Sequence, residues 1–192
     1  PLLTPLDRYL FAQQDKEGAV IDERFNGGGL LDDYMVDLMT RNLRAAITNE
    51  VPGGEPMVLP AGILGPKVLL INELSGSGGD FFPWVFRQQK AGPLIGMRTW
   101  GGLVKSSVHY SLVDGGALTA PDNAVFDPVN NRWVGENEGI PPDIEVRLDA
   151  RSMEKGDDPQ LIRAVEEALR LIERDPLPEV TPPPFPKPAT GE

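Results

Sequence analysis

The chain contains no cysteine and a single histidine among its 192 residues. Without cysteine there is no disulfide, thiolate nucleophile or thiolate metal site, and one imidazole cannot build a multi-histidine metal centre. The lack of cysteine fits a reducing compartment, and the expected location is cytoplasmic. No apolar run approaches the roughly 20 residues needed to cross a bilayer, and "PLLTPLDRYL" lacks the charged and apolar regions of a signal peptide. The chain also has no initial Met, so it reads as a piece of a longer one. Cations are scarce as well: 18 Lys and Arg stand against 29 Asp and Glu, a net charge of -11. Repulsion therefore argues against nucleic acid or an anionic membrane as the main partner. What is present is 40% hydrophobic residues, enough for one real core, with 21 Gly and 20 Pro as punctuation.

The pattern predicts a short helix over 6–16, then a strand in "GAVIDERF" (18–25), broken by "NGGG" (26–29). Leu31, Met35, Leu38 and Met39 share a helical face, which predicts a helix from Leu30 to about Leu43, with Asp32 and Asp33 suited to its positive start. Residues 45–66 carry turn residues and read as a long loop. "PKVLLINEL" (66–74) is a continuous apolar run suited to a strand buried on both faces, followed by a helix in "DFFPWVFRQQKAG" and a strand in "PLIGMRTW". Strand, glycine loop and helix thus recur, which predicts parallel neighbours in a largely parallel, mixed α/β sheet flanked by helices. "GGLVKSSVHYSLVDGGALTAPDNAVFD" alternates around "DGG" and reads as a hairpin. "DPQLIRAVEEALRLIER" predicts an amphipathic helix capped by Asp158 with Pro159 in its first turn, presenting Leu161, Ile162, Val165, Ala168, Leu169 and Ile172. The expected organisation is one unit over 1–174 and an extended Pro-rich tail over 175–192.

Ser77, in "NELSGSGGDFFPW" (72–84), admits two readings. With Asp80 it matches a Ser-x-x-Asp capping box, a purely structural role. The same position at a helix mouth sets a hydroxyl beside free amides and a positive dipole end, suited to oxyanion chemistry, and Gly76, Gly78 and Gly79 let a substrate backbone approach. A nucleophilic serine needs a base. The one histidine, His109, falls in an alternating strand and reads as structural. The Gly-x-Ser-x-Gly elbow of α/β-hydrolases is absent, since position 75 is Ser.

"VIDERFNGGG", "INELSGSGGDFFPW", "LIGMRTWGG" and "ENEGIPPDIEV", in this order and spacing, resemble the catalytic part of the tricorn proteases, relatives of the C-terminal processing serine peptidases. The resemblance runs from about Ala19 to Val146, and the final helix and Pro-rich tail share it. It implies a crotonase- and Clp-protease-like fold and hydrolysis of peptide bonds through an acyl-enzyme, with no metal or cofactor. Carried across, Ser77 matches the nucleophile. The amides of Gly78 and Gly29, with Gly28 as second choice for the latter, match the oxyanion hole. Glu136, with Glu138 as the neighbouring alternative, matches an acid that holds the serine orienting the catalytic histidine.

In the processing peptidases a lysine base follows a Thr-aromatic-Gly sequence; here "TWGG" puts Gly102 at that position and Lys105 three residues on. This favours the tricorn branch, whose Ser-His pair lies upstream of the matching region, and the chain has no "SH". These residues alone are therefore expected to hydrolyse peptides poorly. The resemblance further implies an upstream part with β-propellers and a PDZ domain, and a homo-oligomer, a hexamer. Two other classes remain open: a peptide- or protein-interaction module in which Ser77 only caps its helix, and a crotonase-like acyl-CoA enzyme, against which stands the acidic surface.

Overall fold

The structure is a computed structural model and describes residues 8–29, 32–48 and 54–184. After a helical turn at 8–11, the elements are β1 (Ala19–Asp22), α1 (Asp32–Met39), β2 (Ala45–Ile47), β3 (Met57–Leu59), β4 (Lys67–Ile71), α2 (Gly78–Gln88), β5 (Leu94–Gly96), β6 (Lys105–Ser111), β7 (Ala117–Asn123), β8 (Phe126–Asp127), β9 (Arg132–Trp133), β10 (Ile144–Glu145), α3 (Ala150–Glu154) and α4 (Pro159–Arg174).

The strongest apolar run becomes β4, buried at every position. It sits inside a sheet of order β1-β4-β5-β10 in which every neighbouring pair is parallel. Side chains alternate across a strand, so this run supplies two cores at once. Leu69 and Ile71, with Leu94, face α1 and α2 and meet Val36, Met39, Phe82, Val85 and Phe86. Val68 and Leu70, with Ile95, face α4 and meet Ala164, Ala168 and Leu171. Phe86 is fully buried in the first cluster; its truncation to Ala would cost about 3–5 kcal/mol. The predicted architecture, a parallel sheet flanked by helices, is the one that forms.

Other expectations hold in outline or need correction. The "DGG" hairpin forms as β6 and β7, antiparallel, with irregularities at Lys105/Ser106 and Val108/Tyr110. Asp158 caps α4 by accepting from the Leu161 amide at 2.9 Å, with Pro159 in the first turn. The face that α4 buries coincides with the predicted one only at Ala168 and, half-buried, Ile172. Ala164, Ala168 and Leu171 pack on the sheet with Gln160 and Glu167, while Leu161, Ile162, Val165 and Leu169 stay exposed. Small alanines let the helix lie close on the sheet, and they outweigh the larger stripe beside them.

Helix α1 stops at Met39 rather than Leu43, where the Thr40 hydroxyl bonds back to the Val36 carbonyl at 2.9 Å. Leu31 lies outside the described residues. Part of the predicted loop over 45–66 is an antiparallel ribbon of β2 with β3. The predicted helix over 6–16 is helical at 8–11 and a turn at 12–15; residues 1–7 lie outside the described residues. Residues 175–184 carry no regular secondary structure, and the rest of the Pro-rich tail lies outside the described residues. Among the described residues no helix is long and apolar enough to cross a membrane.

Parallel strands all end on one rim. There the turns after β1 (26–29), β4 (72–77) and β5 (97–104) converge, as expected for a site in an open parallel sheet.

Candidate active site

The two serines of "LSGSGG" have different fates. Ser75 is fully buried, and its hydroxyl donates to the Glu23 carbonyl and to Asn72 Oδ1, both at 3.2 Å, tying the end of β4 to the end of β1. Ser77 is half-buried at the mouth of α2 with φ 58° and ψ -115°. A non-glycine residue in that region costs on the order of 1–3 kcal/mol, and such strain is retained where the surroundings enforce it.

Asp80 does the enforcing. It is fully buried, and its Oδ2 accepts from the amides of Ser77 and Gly102, both at 3.0 Å. Its Oδ1 accepts from the Thr99 hydroxyl at 2.5 Å and the Gly101 amide at 2.8 Å. The carboxylate half of the predicted capping box is thus present. The other half is present too, the Ser77 side chain facing the Asp80 amide, which also donates to the Ser77 carbonyl at 2.9 Å. Read from the sequence, Asp80 is a cap and nothing more; in the fold it also fastens the Ser77 turn to the "TWGG" turn. Its acceptors serve three backbone amides, which leave no mark in the sequence.

The glycine turn after β1 lies against Ser77. A Cβ added to Gly28, itself at φ 108°, would fall 2.7 Å from Ser77 Cβ and 2.9 Å from the Gly78 nitrogen. A Cβ on Gly78 would fall 2.6 Å from the Gly29 nitrogen. The Gly28 amide is taken by Asn26 Oδ1 at 2.9 Å, whereas those of Gly29 and Gly78 have no hydrogen-bond acceptor among the described residues. Of the two choices read from the sequence, Gly29 is the one with a free donor.

Ser77 opens onto two clefts. One, of about 610 Å³, is walled by Phe81, Leu103 and Val125 and carries Asp32 and Asp33 at the start of α1. Burial, and then the Asp33 charge, pushes Asp32 up to about 6. The other, of about 600 Å³, has Ser77 and Glu136 on its lining together with Trp100 and Ser106. Glu136 is half-buried, and its Oε2 accepts from the amides of Leu103 at 2.9 Å and Val104 at 2.7 Å. The alternative acid, Glu138, is exposed and lines a different cleft with Arg98 and Trp133.

Lys105 borders both Ser77 clefts, while His109 is exposed on β6 and lines neither. The Trp100 ring lies over Gly76 and Gly102; a Cβ on Gly102 would meet it at 2.2 Å, so a side chain at the position the processing peptidases use would require this exposed ring to move.

A strained serine at a helix mouth, two unengaged glycine amides beside it and a carboxylate across a cleft make up an arrangement suited to acyl chemistry. Comparison with known proteins identifies the family. The model of peptidase family S41 matches residues 8–146. Tricorn protease homolog 1 of Streptomyces coelicolor is 36% identical over 183 residues, 94% of this chain and 17% of that protein. The tricorn protease homolog of Saccharolobus solfataricus is 37% identical over 169 residues, 86% of this chain and 15% of that one. The crystal structure of the tricorn protease superposes with a TM-score of 0.74 at 30% identity, over 82% of this chain and 15% of that chain. The chain therefore spans less than a fifth of the length of these relatives, and within that span its strands, turns and sequence are those of peptidase family S41, to which it belongs.

Proposed function

We propose that this chain is the catalytic subdomain, over 1–174, of a tricorn-type serine peptidase, with Ser77 as nucleophile. The Ser77 oxygen attacks the carbonyl carbon of a scissile peptide bond in a short or unfolded peptide and loses its proton to a base. The C–N bond then breaks as the amine leaves with a proton, giving an acyl-enzyme that water hydrolyses. The amides of Gly78 and Gly29 hold the developing oxyanion; each such donor is typically worth about 100- to 1,000-fold in rate. The single observation that carries this reading is Ser77 itself, strained at a helix mouth with the glycine turn in contact.

The base comes from the upstream part of the same protein. The cleft between Ser77 and Glu136 has room for a Ser-His pair, and Glu136 keeps Oε1 available while Oε2 holds the Leu103 and Val104 amides. Glu136 orients that serine, which in turn orients the histidine. The isolated residues hydrolyse peptides poorly. The upstream part with its PDZ domain and β-propellers, a hexameric assembly and a cytoplasmic location belong to the same proposal.

A second reading of the base is favoured by one observation, the presence of Lys105 on both Ser77 clefts. The experiment uses the full-length protein with a fluorogenic peptide and an acyl-reactive serine probe. Ser77→Ala is expected to lose at least about 1,000-fold in kcat with its melting curve retained. An interaction module would keep its function in that variant. Lys105→Met should keep most of the turnover; a fall of about 100-fold or more would make the lysine the base. Equal labelling of Ser77 in the isolated residues and the full-length protein would overturn the upstream base.

A further inference from the structure

Beneath the glycine turn lies a carboxyl that the proposed chemistry does not use. Glu23 follows β1 and is 6% exposed. Its amide donates to the Leu70 carbonyl at 3.2 Å, and its own carbonyl accepts from the Asn26 amide at 3.0 Å and the Ser75 hydroxyl at 3.2 Å. Its Oε2 accepts from Asn26 Nδ2 at 3.3 Å, and its Oε1 has no partner among the described residues. Asn26 passes this contact on in two directions. Its Oδ1 takes the Gly28 amide and its carbonyl takes the Gly76 amide, both at 2.9 Å. Glu23 is thus one residue away from both turns that flank Ser77.

The charges acting on Glu23 are all negative: Asp32 at the start of α1, Asp80 in α2 and Asp22 beside it on β1. The neighbouring cation, Arg24, is turned away onto Asp22 at 2.7 Å and Asp158 at 2.8 Å. An ionised Glu23 would place a further negative charge, with one oxygen unpaired, in a buried position behind amides that receive an oxyanion. Burial above all, and then these acids, pushes Glu23 up to about 9.

We infer that Glu23 is a positioning residue that works as a neutral, proton-bearing acid, holding the Asn26 side chain so that the Gly28–Gly29 turn stays against Ser77. The inference rests on Ser77 being the nucleophile. Two consequences follow. Removing the carboxyl frees Asn26 and loosens an oxyanion donor, which lowers kcat and leaves KM in place, since that donor acts in the transition state. Removing only its proton puts negative charge behind the oxyanion, so turnover falls as pH rises through about 9.

The test measures kcat and KM of the full-length protein between about pH 6 and pH 10 for the wild type, Glu23→Ala and Glu23→Gln, with acyl-probe labelling of Ser77 in each. Glu23→Ala is expected to lose about tenfold or more in kcat with KM within about twofold. Glu23→Gln, an acceptor for Asn26 that cannot ionise, should recover most of that loss and shift the alkaline fall to higher pH. A Gln variant with the wild-type alkaline fall, or one as impaired as Ala at neutral pH, would overturn the inference. Should Glu23→Ala fail to fold, the alkaline limb of Glu23→Gln alone decides. Absence of Ser77 labelling in the wild type would instead sink the nucleophile assignment, so the two failures are distinguishable.

Discussion

Asp80 and Thr99 share a 2.5 Å hydrogen bond inside the core, and through it the helix that begins at Ser77 is locked to the turn that follows β5. Thr99 passes the connection on, because its hydroxyl also accepts from the Ile140 amide at 2.8 Å, next to the turn that carries Glu136. One buried carboxylate therefore sets the spacing between two candidate catalytic residues that are far apart in sequence.

Replacing Asp80 should damage folding before chemistry. Asp80→Ala strands the Thr99 hydroxyl and the Gly101 amide and removes an acceptor from the Ser77 and Gly102 amides. The expected cost is about 3 kcal/mol or more, and Asp80→Asn, which keeps the shape but loses an acceptor, falls between it and wild type. Urea unfolding of the three proteins orders them; an Ala variant as stable as wild type would show that Asp80 is not the tie described.

Gly28→Ala tests the contact between the two turns. At φ 108° the new methyl is strained, and it would sit 2.7 Å from Ser77 Cβ, so one turn must move. A loss of about 100-fold in the proposed peptide hydrolysis by the full-length protein is expected with at most about 2 kcal/mol in stability. Gly27→Ala, whose methyl meets nothing within 4 Å, is the matched control and should differ little from wild type in activity.

Acid sensitivity should trace in part to α4. Arg170, and after it Arg163, holds Glu167 down at about 2, while the carboxylate itself is nearly buried. A depressed carboxylate contributes stability above its unfolded value near 4.5, and the contribution is lost as pH falls toward about 2. Glu167→Gln should therefore melt a few degrees below wild type at neutral pH, the shift that about 1 kcal/mol produces in a chain of this size. The gap should close by about pH 2, as thermal melts across that window would record.

Much of the scaffold was legible because its signals are local. The run "KVLLI" can hardly be other than a doubly covered strand, and the Asp158-Pro159 start and the "DGG" turn carry their own chemistry. Helix α4 shows where such signals stop. It bears two apolar stripes that share Ala168; the periodicity picks out the larger one, and Glu167 and Gln160 on the buried side mask the other. The ribbon of β2 and β3 escaped because each strand is three residues long, too short for alternation to register.

At the site, the residues themselves leave Ser77 open between cap and nucleophile, and only the family resemblance singles out the glycine turn and Glu136. Asp80 could not be given its full role, since three of its four donors are main-chain amides. Glu23 carries no sequence signal of its own: it sits at the end of the predicted strand like any other carboxyl, and only packing reveals that it is enclosed.

The backbone at Ser77 has one more implication. Glycine would adopt φ 58° and ψ -115° without steric penalty, so Ser77→Gly would make the sturdier protein, one with no hydroxyl at the helix mouth. Robustness and reactivity compete at that position, and a search for thermostable variants that ignored turnover would drift toward losing the serine.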